Sequence, residues 1–345
     1  MFPIRKMLAA ASLGLVILVL ISYWAVYRPN MSSSTGMLTK VVVEKGDDLS
    51  KIANNLYEAK LIDDTGRFIW ACRIMRVETD LPAGVFVIPF GLSNREIVKR
   101  MVFSNTNTGN VTIREGWTST RIASELNKKI GIDSTAFMKV VNDQEFVKDL
   151  GLEAPSLEGY LYPETYNLYL GMEAEEAARK MVEQFRAVFN DKMKYRAFEL
   201  GFSVNEIVTL ASIIEGEIIY SSEAPIVSGV YHNRLKMGMR LQADPTIQYI
   251  ILDSPRRVRY SDLKIDSPYN TYKYSGLPPG PIGNPGYRAL IAALYPAKVP
   301  YIFFVAKGDG YHNFNVTAEE HFEAKNRFDN YRRKIYDEMK AIQKQ

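Results

Sequence analysis

The run MLAAASLGLVILVLISYWAVY, residues 7–27, contains no charged residue. At about 1.5 Å of rise per residue it spans roughly 30 Å, the thickness of a bilayer core. No other segment restricts the chain as much, because whatever follows such a helix must fold on one side of a membrane. Arg5 and Lys6 precede the run, and Tyr23, Trp24 and Tyr27 close it, where an interfacial aromatic belt belongs. The positive-inside rule then places residues 1–6 in the cytoplasm and the chain beyond Arg28 outside. A cleaved signal peptide is the alternative. Against it, the run is longer than an ordinary h-region, and the bulky SYWAVY offers no small-residue cleavage site. A single uncleaved transmembrane helix over 7–27 is expected, anchored in the inner (cytoplasmic) membrane. NMSSSTGM, residues 30–37, is short and polar, so 28–38 reads as a linker.

The remaining length suits two or three domains. The formal net charge of +4 is spread along the chain without a dense basic stripe, which argues against nucleic acid as a partner. Cys72 is the single cysteine, and His232, His312 and His321 are the only histidines. Their spacing matches no zinc site, and neither a metal nor a cofactor is expected.

Two stretches repeat at a fixed offset. VVVEKGDDLSKIANNL (41–56) and VTIREGWTSTRIASEL (111–126) share Val41/Val111, Gly46/Gly116, Ile52/Ile122, Ala53/Ala123 and Leu56/Leu126. Each predicts a strand, a glycine turn and a helix. IPFGLSNREIVKRM (88–101) echoes LYLGMEAEEAARKM (168–181) more loosely. Two related α/β modules follow, the second carrying an insertion. The first, with its Gly-Asp-Asp-Leu-Ser turn and a closing strand near Val85–Ile88, resembles a LysM-like domain. That resemblance implies either binding to N-acetylglucosamine-containing glycans or a spacer role.

From residue 157 the composition changes. LEGYLYPETYNLY, YHNRLKMGMRLQADPTIQY, SPYNTYKYSGLPPGPIGNPG and FFVAKGDGYHNFNVTAEEH are rich in Tyr, Asn, Gln, Gly and Pro. Such segments build irregular loops, and aromatic faces beside amide donors suit a sugar. Between them lies LASIIEGE, residues 210–217. A helix over 204–215 would be apolar over most of its circumference, with Asn205, Thr209 and Ser212 as a narrow polar stripe. Glu215 falls about 60° from Ser212, beside the apolar face. Burial there raises a carboxyl pKa, which serves either a satisfied structural carboxylate or a general acid. Gly216 permits a break in the helix or a close approach by ligand. Glu217 points elsewhere if the helix continues.

Five ordered segments resemble the YceG-like family of membrane-anchored endolytic murein transglycosylases. They are LEGYLYPETY (157–166), LASIIEGE (210–217), VYHNRLKMGMRLQADPTIQY (230–249), SPYNTYKYSGLPPGPIGNPG (267–286) and AALYPAKVPYIFFVAKGDGYHNF (292–314), the last followed by Thr317, Glu320 and His321. The resemblance implies that Glu215 is the catalytic acid. The implied substrate is peptidoglycan, cut at the MurNAc–β-1,4–GlcNAc bond to leave 1,6-anhydro ends. Gly216 stands where many relatives carry a larger residue. Gln242, Tyr269 and Asn270 are candidates for substrate contacts, with Glu158, Asn233 and Asp244 behind them. Asp244-Pro245-Thr246 has a second reading as a helix start, with Asp as the cap. Ser212 and Glu217 are candidates to support Glu215, Glu217 either by tuning it or within a structural ion pair. His312 and His321 are expected only to brace the cleft. Penicillin-binding proteins and glycan polymerases are the implied partners. Rival readings are a muramidase that uses water and a non-catalytic scaffold that recruits wall synthases.

The expected fold class is α+β (mixed α/β). Residues 39–104 form the small module and 105–335 a larger catalytic domain, in which 105–185 carry the second repeat copy and 186–335 the catalytic core. A charged helix from about 317 closes the chain, with 336–345 as its end.

Overall fold

A computed structural model of the chain describes residues 2–31, 38–44, 46–82, 84–102, 108–169, 172–251 and 255–342, with backbone only at 2–11, 108–109 and 341–342. In chain order the elements are α1 (Phe2–Tyr27), β1 (Leu38–Val43), α2 (Leu49–Glu58), α3 (Thr65–Met75), β2 (Gly84–Pro89), α4 (Asn94–Val102), β3 (Thr108–Thr112), α5 (Ser119–Ile130), α6 (Ser134–Val141), α7 (Gln144–Asp149), β4 (Thr165–Tyr169), α8 (Ala174–Val188), α9 (Asp191–Glu199), α10 (Val204–Glu217), α11 (Ala224–Lys236), α12 (Asp244–Ile250), α13 (Tyr287–Leu294), β5 (Phe303–Ala306), β6 (His312–Asn315) and α14 (Ala318–Ile342). The strands form two-stranded sheets, β1 with β2, β3 with β4 and β5 with β6. The class is mixed α+β.

Both repeat copies fold as strand, glycine turn, helix. The matched positions are the buried ones: Val41 and Val111, Ile52 and Ile122, Ala53 and Ala123, Leu56 and Leu126. Gly46 and Gly116 hold φ of +100° and +75°, a region an L-residue rarely enters. The looser echo also has a structural counterpart, since it aligns β2–α4 with β4–α8.

The chain divides into two compact units. The first comprises Met1–Val111, Lys128–Ile132 and Tyr166–Met172; the second comprises Thr112–Asn127, Asp133–Thr165 and Glu173–Gln345. In the first, β1 and β2 are antiparallel with Val41 opposite Phe86. α2 is capped by Asp48, whose side chain accepts from Lys51 N at 2.7 Å, and turns Ile52, Ala53 and Leu56 inward. They meet Phe68, Cys72, Ile88, Ile97 and Met101 in one core.

The last turn of α1 belongs to this unit. Ala25 and Val26 are buried, and Asn94 Nδ2 donates to Ala25 O at 2.9 Å. Trp24 lies 5.2 Å from the Arg67 guanidinium. Asn30 is also buried and donates to Leu92 O at 2.8 Å. The expected linker thus begins as a docked segment, and its residues 32–37 lie outside those described. Among the described residues no single helix is long and apolar enough to cross a membrane; Ser12–Tyr27 is the apolar part of α1 so described.

In the second unit α10 is the centre. A capping box starts it, with Ser203 N donating to Glu206 Oε2 at 2.7 Å and Glu206 N to Ser203 Oγ at 3.2 Å. Every side chain from Ile207 to Ile214 is buried, because α9, α11, α12 and α13 surround the helix. α11 and α12 each begin at a proline, Pro225 and Pro245, in the first turn, where the missing N–H is not needed. α14 closes over β5 and β6.

Candidate active site

Glu215 lies half-buried in the last turn of α10, and its Oε2 accepts from Gly286 N at 3.1 Å. Gly286 is the residue from which α13 begins. The acid therefore sits between the carbonyl end of one helix and the amide end of another. Burial raises its pKa; the Gly286 N–H opposes that, and the nearby Glu115 carboxylate reinforces it. A group so balanced can be held protonated and still have a donor waiting for its anion.

Gly286 also makes room. A Cβ there would lie 1.9 Å from Glu115 Oε1. At Gly216 a Cβ would come within 2.7 Å of Pro245. α10 does not break at Gly216; the glycine instead admits α12 against α10, so the close approach comes from Pro245.

Asn284 fixes the loops around the acid. It is fully buried. Its Nδ2 donates to Trp117 O (2.9 Å) and Glu158 Oε1 (3.0 Å), its Oδ1 accepts from Leu161 N (2.9 Å), and its carbonyl accepts from Gly116 N (2.8 Å). Glu158 in turn accepts from Ser119 N at 3.0 and 3.1 Å. Burial nonetheless pushes the Glu158 carboxyl up to about 7. Glu158 thus ties two loops together from within the fold and is not carried into the substrate set.

Glu217 is on the next face of α10. It accepts from Tyr231 OH at 2.6 Å. Burial pushes its carboxyl up to about 7; the Tyr231 bond and the Arg234 charge act against that shift, and Asp244 adds to it. Asp244 is exposed and accepts from Tyr272 OH at 2.5 Å. It stands inside the first turn of α12 and caps nothing, since Ala243 holds the cap position.

A cleft of about 300 Å³ runs beside these groups, lined by Gly116, Thr118, Gly216, Glu217, Gln248 and Tyr249 among others. Gly116 and Gly216 flank Glu215. A larger cleft of about 730 Å³ lies by Phe202, His232 and Pro278. Its carboxylate, Glu206, is spent on the α10 cap, so the smaller cleft is the better candidate.

The other predicted residues divide. Ser212 lines the cleft, but its hydroxyl donates to Thr209 O (2.7 Å) and accepts from Ile282 N (3.0 Å). Tyr269 packs on Tyr249, ring centroids 5.1 Å apart, and reaches the cleft through it. Gln242 is exposed at φ +50°. Asn270 is fully buried, its amide spent on Leu263 O (3.0 Å), Ile265 O (2.8 Å) and Tyr272 N (3.0 Å). Asn233 Nδ2 is likewise spent on Val299 O and Tyr301 O, both at 2.9 Å. These two amides brace loops and have no donor left for a sugar. His312 bonds Glu223 at 2.8 Å and braces β6. Glu115, Asn284, Gln248 and Tyr249 escaped the sequence reading. The only signals were the Glu before Gly116 and the Asn within IGNPG. Among the described residues no cluster of His, Cys, Asp and Glu could hold a metal ion.

A model described as the YceG-like family matches residues 41–327. An endolytic murein transglycosylase from Bacillus subtilis is 31% identical over 302 residues, covering 83% of this chain and 83% of that relative. One from Streptococcus pneumoniae is 26% identical over 300 residues, covering 77% of this chain and 54% of the relative's length. The crystal structure of a YceG-like protein from Listeria monocytogenes is 32% identical, with a TM-score of 0.58 over 83% of this chain and 99% of that one. The matched span contains Glu215, Glu217 and the Asn284–Gly286 loop, and on its extent the chain belongs to the YceG-like family.

Proposed function

We propose that this chain is a peptidoglycan lytic transglycosylase that cuts within glycan strands, with Glu215 as its acid. The observation that carries this is the half-buried carboxyl group of Glu215 held at 3.1 Å from the Gly286 N–H beside a cleft of about 300 Å³. Protonated Glu215 gives its proton to the oxygen of the MurNAc–β-1,4–GlcNAc bond as that bond breaks. The carboxylate left behind is stabilised by Gly286 N–H and then takes the proton of the MurNAc C6 hydroxyl. The C6 oxygen bonds to C1 and closes the 1,6-anhydro ring. One carboxyl group serves both steps, and no water is consumed. A tethered nucleophile has a high effective molarity, which is why a second carboxylate is not required. Thr118, Tyr249, Tyr269 and Gln242 are the side chains offered to the sugar, whereas the Gln248 amide is engaged with the Arg256 backbone at both ends.

The enzyme is read as extracytoplasmic and anchored by α1. Leu13, Val16, Ile17, Leu20 and Ile21 are all exposed, an apolar surface that water does not favour. Work beside penicillin-binding proteins and glycan polymerases, which would make the cut a terminator of strand growth, rests on the family resemblance alone. So does glycan binding by the first unit.

A second reading makes Glu217 the acid, because its carboxyl lines the cleft and is pushed up to about 7. Release of soluble fragments from purified sacculi by Glu215→Gln and Glu217→Gln separates the two. Glu215→Gln is expected to lose activity by about 10²–10⁴-fold, the usual contribution of a general acid. Loss confined to Glu217→Gln reverses the assignment, and full activity in both removes the proton source.

A further inference from the structure

Glu217 and Asp244 line a second cleft as well as the one beside Glu215, so the two adjoin at these carboxylates. The second cleft has a volume of about 500 Å³. Its chemistry differs from that of its neighbour. Beside Glu215 the groups other than these carboxylates are mainly hydroxyl and aromatic, which suit a neutral sugar. The second cleft adds Arg234, Lys325 and His321. A neutral glycan has no use for such charge.

These groups are built into the fold. Arg234 is buried, with Nε bonded to Ile302 O at 2.7 Å and Nη1 to Leu241 O. Both contacts are backbone carbonyls, so they orient the guanidinium without cancelling its charge. His321 lies flat on Phe303, centroids 5.1 Å apart, and its Nδ1 is buried with no hydrogen-bond partner among the described residues. A buried ring nitrogen left unpaired has a lone pair or N–H open to a ligand atom. Burial, then the charges of Arg234 and Lys325, hold that imidazole below its ordinary pKa. Lys325 is exposed on α14 at the mouth. On the rim, Gln242 is held at φ +50° by its N–H to Thr271 O at 3.1 Å, and strain of this kind gathers at ligand sites. In the same cleft Asp244 and Glu217, the latter within reach of the Arg234 charge, accept from tyrosine hydroxyls and keep further lone pairs.

A ligand for this lining carries a carboxylate and several N–H donors, which describes a short peptide. Resting on the reading of the substrate as peptidoglycan, whose glycan bears peptide arms, we propose that this cleft is the subsite for the peptide arm of the strand being cut. Arg234 and Lys325 receive the arm's carboxylate, His321 Nδ1 meets one of its polar atoms, and the Glu217–Asp244 wall accepts its N–H groups. The sugar beside Glu215 and the arm beside Lys325 are then held by one substrate.

Calorimetric titration tests this on the full chain in detergent, with two probes: the free arm peptide released from sacculi by an amidase, and the peptide-free glycan left behind. The peptide is expected to bind saturably, and Lys325→Glu to weaken it at least fivefold, with Lys325→Gln in between. Unchanged melting temperatures for both variants confirm that this exposed site leaves the fold intact. No saturable peptide binding, or equal affinity in all three proteins, overturns the subsite. Peptide binding by a protein that neither binds nor cuts the glycan keeps the subsite and contradicts the glycan-cutting reading. Glycan cutting without peptide binding does the reverse.

Discussion

The backbone N–H of Gly286 reaches Glu215 Oε2 at 3.1 Å, and the same glycine leaves room for the Glu115 carboxylate, which a Cβ at 286 would meet at 1.9 Å. One residue without a side chain thus serves two carboxylates. It gives one a donor and the other its space.

Gly286→Ala tests that double role. The added methyl must displace Glu115 or the backbone that carries the donor. Activity on sacculi is expected to fall by about tenfold or more, in line with the loss of one positioned hydrogen bond. Adding Glu115→Ala restores the space, so the double variant should recover part of the loss. A double variant worse than either single one would show that Glu115 has a separate task.

Glu115 also sets the proton affinity of the acid. Among the described residues it is the charged group that acts on Glu215, and it acts by raising its pKa. The reaction needs Glu215 protonated, so activity falls as pH rises through that pKa. Glu115→Gln removes the like charge, lowers the pKa, and should move the alkaline limb of kcat/KM to lower pH. A limb that stays in place or moves upward contradicts the assignment of the limb to Glu215.

Asn284→Ala removes bonds to Trp117, Leu161 and Glu158 at once. Buried groups left unpaired cost about 1–3 kcal/mol each. The melting temperature should fall, and kcat should fall more than KM rises, because the loops that place Gly116 and Gly286 lose their clamp. Asn284→Asp, which keeps one acceptor, should recover less than half of the stability, since its charge would face Glu158.

Stability itself carries a pH signature. Glu158 and Glu217 have folded pKa values of about 7 against an ordinary 4.5. The native state then holds more protons than the unfolded state between these values, so their contribution is full below about pH 4.5 and is lost as pH rises through 7. Thermal melts from pH 4.5 to 8 should show this decline, and Glu217→Gln should flatten it. A decline of equal size in the variant assigns it to other groups.

How far the fold was legible depended on what decides each part. Val204–Ile214 is apolar over most of its circumference, the pattern of a buried helix, and α10 is that helix. The repeat was legible because its shared residues are the core positions and the turn glycines themselves. Gly216 misled because one glycine costs a helix only about 1 kcal/mol relative to alanine, too little to stop a helix otherwise wholly packed. Asn270, Asn233 and Asn284 look alike in sequence. What separates them is which carbonyls the loops bring to each amide, and loops of this length take their path from tertiary hydrogen bonds rather than from local propensity. The Glu115–Gly286–Glu215 arrangement was hidden for the same reason, since three distant segments meet there.

The most direct measurement is the mass of the cut strand ends formed in ¹⁸O-labelled water. The intramolecular mechanism predicts 1,6-anhydro ends without label, and no such ends with Glu215→Gln. Ends that carry ¹⁸O and the mass of one added water would show hydrolysis, and would contradict the account in which a single carboxyl group moves both protons and the sugar supplies its own nucleophile.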